Sequence, residues 1–205
     1  MSNRGILIVL SGPSGVGKGT VREALLKNYD NEFEFSISMT TRDKRKGEVE
    51  GKDYFYRSKE EFQKLIEEDG FLEYAEYVGN FYGTPKKYVE ETLERGRDVF
   101  LEIEVQGARQ VQKQMPEGVF IFLTPPNLKE LEARILNRGT ETAETVQRRL
   151  KKAVDEMRQV RYYNYMVEND KVDNASRKVK NIIESEHLKV SRNIEMFENF
   201  IKEME

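Results

Sequence analysis

Gly12-Pro13-Ser14-Gly15-Val16-Gly17-Lys18-Gly19-Thr20 packs four glycines, one lysine and two hydroxyls into nine consecutive residues. Glycines at such spacing let successive backbone N–H groups curl around phosphate oxygens, and a lysine at the end of the turn brings a full charge to the outer phosphates. A serine or threonine usually follows that lysine to meet magnesium. Here Gly19 follows it and the hydroxyl comes one residue later, at Thr20, so the direct metal ligand stays open. A second cationic loop, Thr40-Thr41-Arg42 with Arg45, supplies two guanidiniums suited to paired hydrogen bonds with a phosphate, and Tyr54 and Tyr82 offer further hydroxyl donors. Asp43, Glu48 and Glu50 dilute its charge, and a solvated charged loop is the competing reading.

The composition narrows the remaining chemistry. With no cysteine and with His187 as the only histidine, disulfides, thiolate metal sites, histidine triads and histidine-cluster zinc sites are excluded. Carboxylates, lysines, arginines and hydroxyls must do the work. Charged residues form 35% of the 205, with a net charge of -3, which is a mixed surface and not the basic excess of a nucleic-acid binder. The first apolar run, Ile6-Leu7-Ile8-Val9-Leu10, is too short for a signal peptide or a membrane span, so a soluble, cytoplasmic protein with one core is expected.

The elements that must hold these groups follow from periodicity. The apolar run before Gly12 reads as a buried strand, and Val21-Arg22-Glu23-Ala24-Leu25-Leu26 opens a helix ending near Asn28. Residues 33–38 and 53–56 read as short strands, and 59–68 as a helix started by Ser58 with Glu61 three residues later as a capping box. Residues 71–78 alternate as a strand, Asn80-Phe81-Tyr82-Gly83 reads as a turn, and Thr84 before Pro85 reads as a helix N-cap. The stretch 99–105 reads as a buried strand carrying Glu102 and Glu104 on one face at its C-terminal end, where open α/β sheets bind ligands. Further strands are expected at 118–123 and 164–168. Helices are expected from Asn127 to about 137, at 143–162, and as a pair over 175–202. Alternating strands and helices predict a parallel, helix-flanked sheet with right-handed crossovers, interrupted at 35–83 by a small, largely antiparallel lobe. Asn169 and Asp170 follow the last strand, where a plain turn competes with contact to a nucleotide base.

Five stretches together resemble the guanylate kinase family over nearly the whole chain. They are the glycine-rich turn, Ser38-Met39-Thr40-Thr41-Arg42, Gly47-Glu48-Val49-Glu50-Gly51-Lys52-Asp53-Tyr54, Tyr82-Gly83-Thr84-Pro85 and Arg138-Gly139-Thr140-Glu141-Thr142. The resemblance implies the nucleoside-monophosphate kinase fold: a core at 1–34, 84–125 and 163–205, a GMP-binding lobe of mixed α/β structure at 35–83, and a helical lid region at 126–162. It implies ATP and GMP as substrates, with Mg2+ accompanying ATP. ATP would be held by Gly12, Pro13, Ser14, Gly15, Val16, Gly17, Lys18, Gly19 and Thr20 with Arg134. The GMP phosphate would be held by Arg42, Arg45, Tyr54 and Tyr82. Guanine would be read by Ser38, Glu73 and Thr84, with Glu104 near guanine or a metal-bound water. Lys18, Arg42 and the lid arginines Arg138 and Arg149 would carry the charge of the transition state.

Glu73 also makes physical sense in this role. Guanine presents two adjacent donors, N1–H and the exocyclic amine, which one carboxylate accepts side by side, whereas adenine turns an acceptor toward it. An exposed strand carboxylate is the competing reading of the residue alone. Phosphoryl transfer needs alignment, charge neutralisation and exclusion of water but no covalent nucleophile, so the absence of histidine and cysteine from the motifs is no obstacle. Other readings use some of the same residues: a catalytically idle module binding phosphorylated peptides through the arginine loop, or a small kinase for a different acceptor. A GTPase switch lacks its guanine-reading Asn-Lys-x-Asp tetrapeptide.

Overall fold

The computed structural model describes residues 4–29, 32–136 and 143–204. In chain order, β1 (Leu7–Ser11) leads through the glycine-rich turn into α1 (Lys18–Asn28), followed by β2 (Phe33–Phe35), β3 (Met39–Thr40), β4 (Phe55–Tyr56) and α2 (Lys59–Glu67). The hairpin β5 (Phe71–Tyr77) and β6 (Asn80–Pro85) precedes α3 (Lys86–Glu94), β7 (Asp98–Glu102), α4 (Val105–Gln114) and β8 (Val119–Thr124). Then come α5 (Leu128–Leu136), α6 (Ala143–Met157), a 3-10 turn (Arg158–Tyr162), β9 (Tyr165–Glu168), α7 (Val172–His187) and α8 (Val190–Lys202).

Five strands form a parallel sheet in the order β2-β7-β1-β8-β9. Strand alternation divides the core between its two faces. Ile6, Ile8 and Leu10 pack with Val21 and Leu25 of α1 and with Ala175, Val179 and Ile183 of α7. Leu7 and Val9 pack oppositely with Val89 and Leu93 of α3 and with Ala108 and Val111 of α4. β1 is thus buried on both faces and between two strands, and its C-terminal end delivers the glycine-rich turn into the crevice above the sheet. At the N-terminal end of the strands, opposite the turn, His187 Nε2 lies 2.7 Å from Asp98 Oδ2 while Ile6 N–H donates to Asp98 Oδ1, so the only histidine of the sequence pins α7 to the start of β7.

The second sheet has the order β4-β3-β6-β5, with β3 and β4 parallel and the other pairs antiparallel. Four sequence expectations are corrected here. Residues 80–83 lie in β6 and are not a turn, because the reversal is made by Val78 and Gly79, both at positive φ, as a two-residue hairpin requires. Thr84 does not cap α3: β6 continues through Pro85, which occupies the cap position without a side-chain bond, and the Thr84 hydroxyl is used elsewhere. β7 stops at Glu102, so Glu104 is presented by the start of α4 and not by strand alternation. The expected helix at 143–162 is likewise divided, tightening into the 3-10 turn after Met157.

The capping box of α2 is present in both halves, Ser58 accepting from Glu61 N–H and Glu61 from Ser58 N–H. It anchors a helix whose one fully buried side chain, Phe62, stacks on Phe71 at 4.3 Å and on Phe81 at 5.4 Å between ring centroids. Phe62→Ala is expected to cost about 3–5 kcal/mol, seen as a lowered denaturant midpoint. A cost below about 1 kcal/mol would show that the small sheet closes around the gap.

Candidate active site

Two glycines explain the shape of the phosphate turn. Gly17 has φ 95°, where a side chain is strained, and a Cβ on Gly12 would come within 2.5 Å of the Leu123 carbonyl oxygen. The turn is held from behind: the Val16 carbonyl accepts from Asn169 Nδ2 at 2.8 Å and from Arg134 at 3.2 Å. Arg134 also donates to the Asn169 carbonyl and pairs with Glu130. Asn169 is thereby more than a plain turn residue. It is 2% exposed, and its Oδ1 is buried with no hydrogen-bond partner among the described residues, beside the groove formed by Gly15, Gly17 and Arg134. Lys18, 9% exposed, donates to the Gly12 carbonyl at 2.8 Å and lies 3.1 Å from Glu104. Thr20 Oγ1 donates back to the Gly17 carbonyl, and Glu102 stands beside Gly19, its Oε1 3.8 Å from where a Cβ would be. Burial raises the Glu102 carboxyl above its ordinary range.

Beneath the second sheet a cavity of about 440 Å3 is lined by Ser38, Glu73, Tyr82, Glu104, Gly107 and Glu156, among others. Glu73 comes from β5, and Thr84, directly opposite on β6, donates its hydroxyl to Glu73 Oε1 at 2.7 Å. A Cβ on Gly107 would approach Glu73 Oε2 to 2.9 Å, so this glycine is what lets α4 pass the carboxylate. Burial raises the Glu73 carboxyl, opposed by the Thr84 bonds. Arg42 makes a paired bond to Glu48, at 2.8 and 3.1 Å, and its guanidinium lies over the ring of Tyr54. Tyr54 in turn meets Tyr82 edge to face. Glu48 also accepts from the Arg45 N–H and from the Tyr56 hydroxyl. The Arg42 bond, with Arg45 N–H next, holds the Glu48 carboxyl down at about 2, while burial and then Glu48 push Tyr56 up to about 12.

The helix α6 reaches over the phosphate turn. Arg149 donates to Ser14 Oγ at 3.0 Å, and Ser14 N–H donates to Glu156 Oε2 at 3.2 Å.

The guanylate kinase family model matches residues 4–186. A guanylate kinase of Latilactobacillus sakei subsp. sakei (strain 23K) is 59% identical over 203 residues, covering 99% of this chain and 100% of that protein. One from Streptococcus agalactiae serotype III (strain NEM316) is 57% identical, covering 99% and 97%. The crystal structure of guanylate kinase from Anaplasma phagocytophilum superposes with a TM-score of 0.70 at 35% identity, covering 92% of this chain and 89% of that one. The chain belongs to the guanylate kinase family.

It is therefore a nucleoside-monophosphate kinase with the α/β fold expected for that family. Among the described residues, no helix of this guanylate kinase family member is long and apolar enough to cross a membrane. The folded chain brings Lys18, Ser38, Glu73, Tyr82, Thr84 and Glu104 around one cleft, with Arg42, Tyr54 and the Arg45 main chain at its rim. Arg138 lies outside the described residues. Three neighbours of these residues are given no role by the motifs. Glu48 and Tyr56 organise Arg42, and their signal was the density of carboxylates and tyrosines in 48–56. Glu156 left one trace in the sequence: it falls seven residues after Arg149, two helical turns along the same face.

Proposed function

We propose that this chain transfers the γ-phosphoryl group of ATP to GMP, giving ADP and GDP, in one in-line step without a covalent intermediate. The observation that carries the reading is Glu104, which lines the cavity of Glu73 and also reaches Lys18 at 3.1 Å, so the base pocket and the phosphate turn open on one another. In this reading residues 12–20 and Arg134 hold ATP. Ser38, Glu73, Thr84 and Glu104 face guanine, and Arg42, Arg45, Tyr54 and Tyr82 hold the GMP phosphate. Lys18, Arg42, Arg138 and Arg149 spread the charge of the moving phosphoryl group. The working units are a core (1–34, 84–125, 163–205), a GMP-binding lobe (35–83) and a lid (126–162), with the cytoplasm as the setting.

The ion pairs of these cations suit that work. Lys18 is matched by Glu104 and Arg42 by Glu48, each carboxylate standing in for a phosphate and keeping its partner extended. Arg42 therefore needs little reordering to take up a phosphate by the same paired geometry. The donor set also fits Mg2+. The Thr20 hydroxyl is tied to Gly17, whereas Glu102 beside Gly19 offers oxygen to the ion, directly or through water. When bound with ATP, the ion neutralises charge on the β and γ phosphates.

The test is ADP release from ATP with GMP, dGMP, AMP, CMP and UMP as separate acceptors, with Mg2+ and again with excess EDTA. Turnover is expected with guanine acceptors only, and it should vanish with the metal. Equal use of AMP or a pyrimidine would remove Glu73 as base reader, and undiminished turnover in EDTA would remove the ion.

A further inference from the structure

We infer that Gln110 is a positioning residue for guanine recognition: its side-chain amide grips the main chain of Tyr74 and so fixes where the neighbouring Glu73 stands. Among the described residues, β5 is the edge strand of the second sheet, so its outward N–H and C=O groups have no further strand to meet. Gln110 meets them at one residue. Its Oε1 accepts from the Tyr74 N–H and its Nε2 donates to the Tyr74 carbonyl, both at 3.1 Å. A side-chain amide carries the same kinds of donor and acceptor as a peptide group, so Gln110 does at Tyr74 what an adjoining strand would do.

The grip falls where β5 is least able to place itself. The strand shifts register against β6 between Phe71 and Glu73, and such a bulge interrupts the ladder and re-aims the side chains beside it. Phe71 and Leu72 are both buried, and the next residue, Glu73, lines the cavity. The reference surface is α4, where Gly107, Gln110 and Gln114 lie along one face at steps of three and four. Gly107 passes the Glu73 carboxylate, and Gln114 reaches the two chain ends of the hairpin, donating to Asp69 at 2.9 Å and accepting from Lys86 at 3.2 Å. Thr84 orients the carboxylate within the second sheet. Gln110 sets the edge of that sheet against α4, whose N-terminus carries Glu104 on the phosphate side of the cleft. A carboxylate that must meet two adjacent donors has to be held to within about 0.5 Å, and this contact supplies part of that hold. The inference rests on Glu73 as the reader of guanine.

The experiment compares wild type with Gln110→Met, which keeps the length of the side chain and removes both hydrogen bonds, and repeats the comparison beside Glu73→Gln. Affinity for GMP, measured calorimetrically, is expected to fall about tenfold, the order of one or two net hydrogen bonds, while affinity for ATP stays within about twofold. The KM for GMP should rise by a similar factor with kcat little changed. Beside Glu73→Gln the effect of Gln110→Met should shrink to about twofold or less, because a residue that acts through Glu73 then has no carboxylate to position. Exchange of the Tyr74 amide hydrogen, followed by NMR, should quicken in Gln110→Met. Affinity for GMP within about twofold of wild type, an equal loss of affinity for ATP, unchanged exchange at Tyr74, or a loss that persists undiminished beside Glu73→Gln would overturn the inference. If Glu73→Gln alone leaves GMP affinity unchanged, the reading of Glu73 itself fails, and the role of Gln110 falls with it.

Discussion

Lys18→Ala is expected to lower kcat for ATP and GMP by about a hundred- to a thousandfold or more, the range found when one group aimed at developing charge is removed. The reason is placement. Lys18 is the first residue of α1, so its ammonium issues from the helix N-terminus beside the backbone amides of the turn, and it is already buried and extended by the Gly12 carbonyl and Glu104. A cation ordered before the substrate arrives loses little entropy on reaching the phosphates. GMP binding should be little affected, because the Glu73 and Arg42 ends of the cleft stand on β5 and on the loop after β3. Turnover in a coupled assay within tenfold of wild type would remove Lys18 from the reaction. A parallel loss of GMP affinity would mean that the variant had disturbed Glu104 and the cavity behind it.

Glu73→Gln should shift the preference for GMP over AMP, measured as the ratio of kcat/KM values, by roughly ten-thousandfold, the scale on which a site built for hydrogen bonds rejects the wrong pattern. The carboxylate offers only acceptors. The amide replaces one of them with a donor, which opposes guanine's two donors but meets adenine's acceptor and amine. Thr84 keeps its bond to Oε1 in either case, so the side chain is expected to stay in position. The burial that raises the Glu73 carboxyl provides an independent check. Without GMP, the native state keeps its proton at pH values where the unfolded chain has already lost it. That contribution to stability is present at low pH and is lost as the pH rises through the raised native value. The neutral glutamine escapes the loss, so ligand-free Glu73→Gln should melt higher than wild type near neutral pH. GMP reverses the sign, because its donors favour the charged carboxylate. GMP affinity should then fall as the pH drops through the raised value in wild type and stay level in the variant. A selectivity ratio within tenfold of wild type would show that guanine is read elsewhere.

What the sequence determined is what neighbouring residues decide among themselves. The phosphate turn is legible because nine adjacent residues supply the glycines, the amides and the lysine, and because the strand before and the helix after it follow from local periodicity. The capping box of α2 and the Asn127 cap of α5 are equally local, each closing over three residues. Where a local preference competed with a distant partner, the partner won. Thr84 has the chemistry of an N-cap, yet pairing with β5 extends β6 past it and brings its hydroxyl to Glu73. The division of Glu102 and Glu104 between a strand end and a helix start arises in the same way, from where β7 stops pairing with β1. The contacts that complete the site span most of the chain: Ser14 to Glu156 across 142 residues and Val16 to Asn169 across 153. No spacing rule reports such pairs, because only the assembled sheet and the helices packed on it bring residues so far apart in sequence together. Glu73 shows the same limit. Alternation put it on a strand face, but only the approach of α4 at Gly107 and the hydroxyl of Thr84 turned an exposed strand carboxylate into a half-buried acceptor at the floor of a cleft.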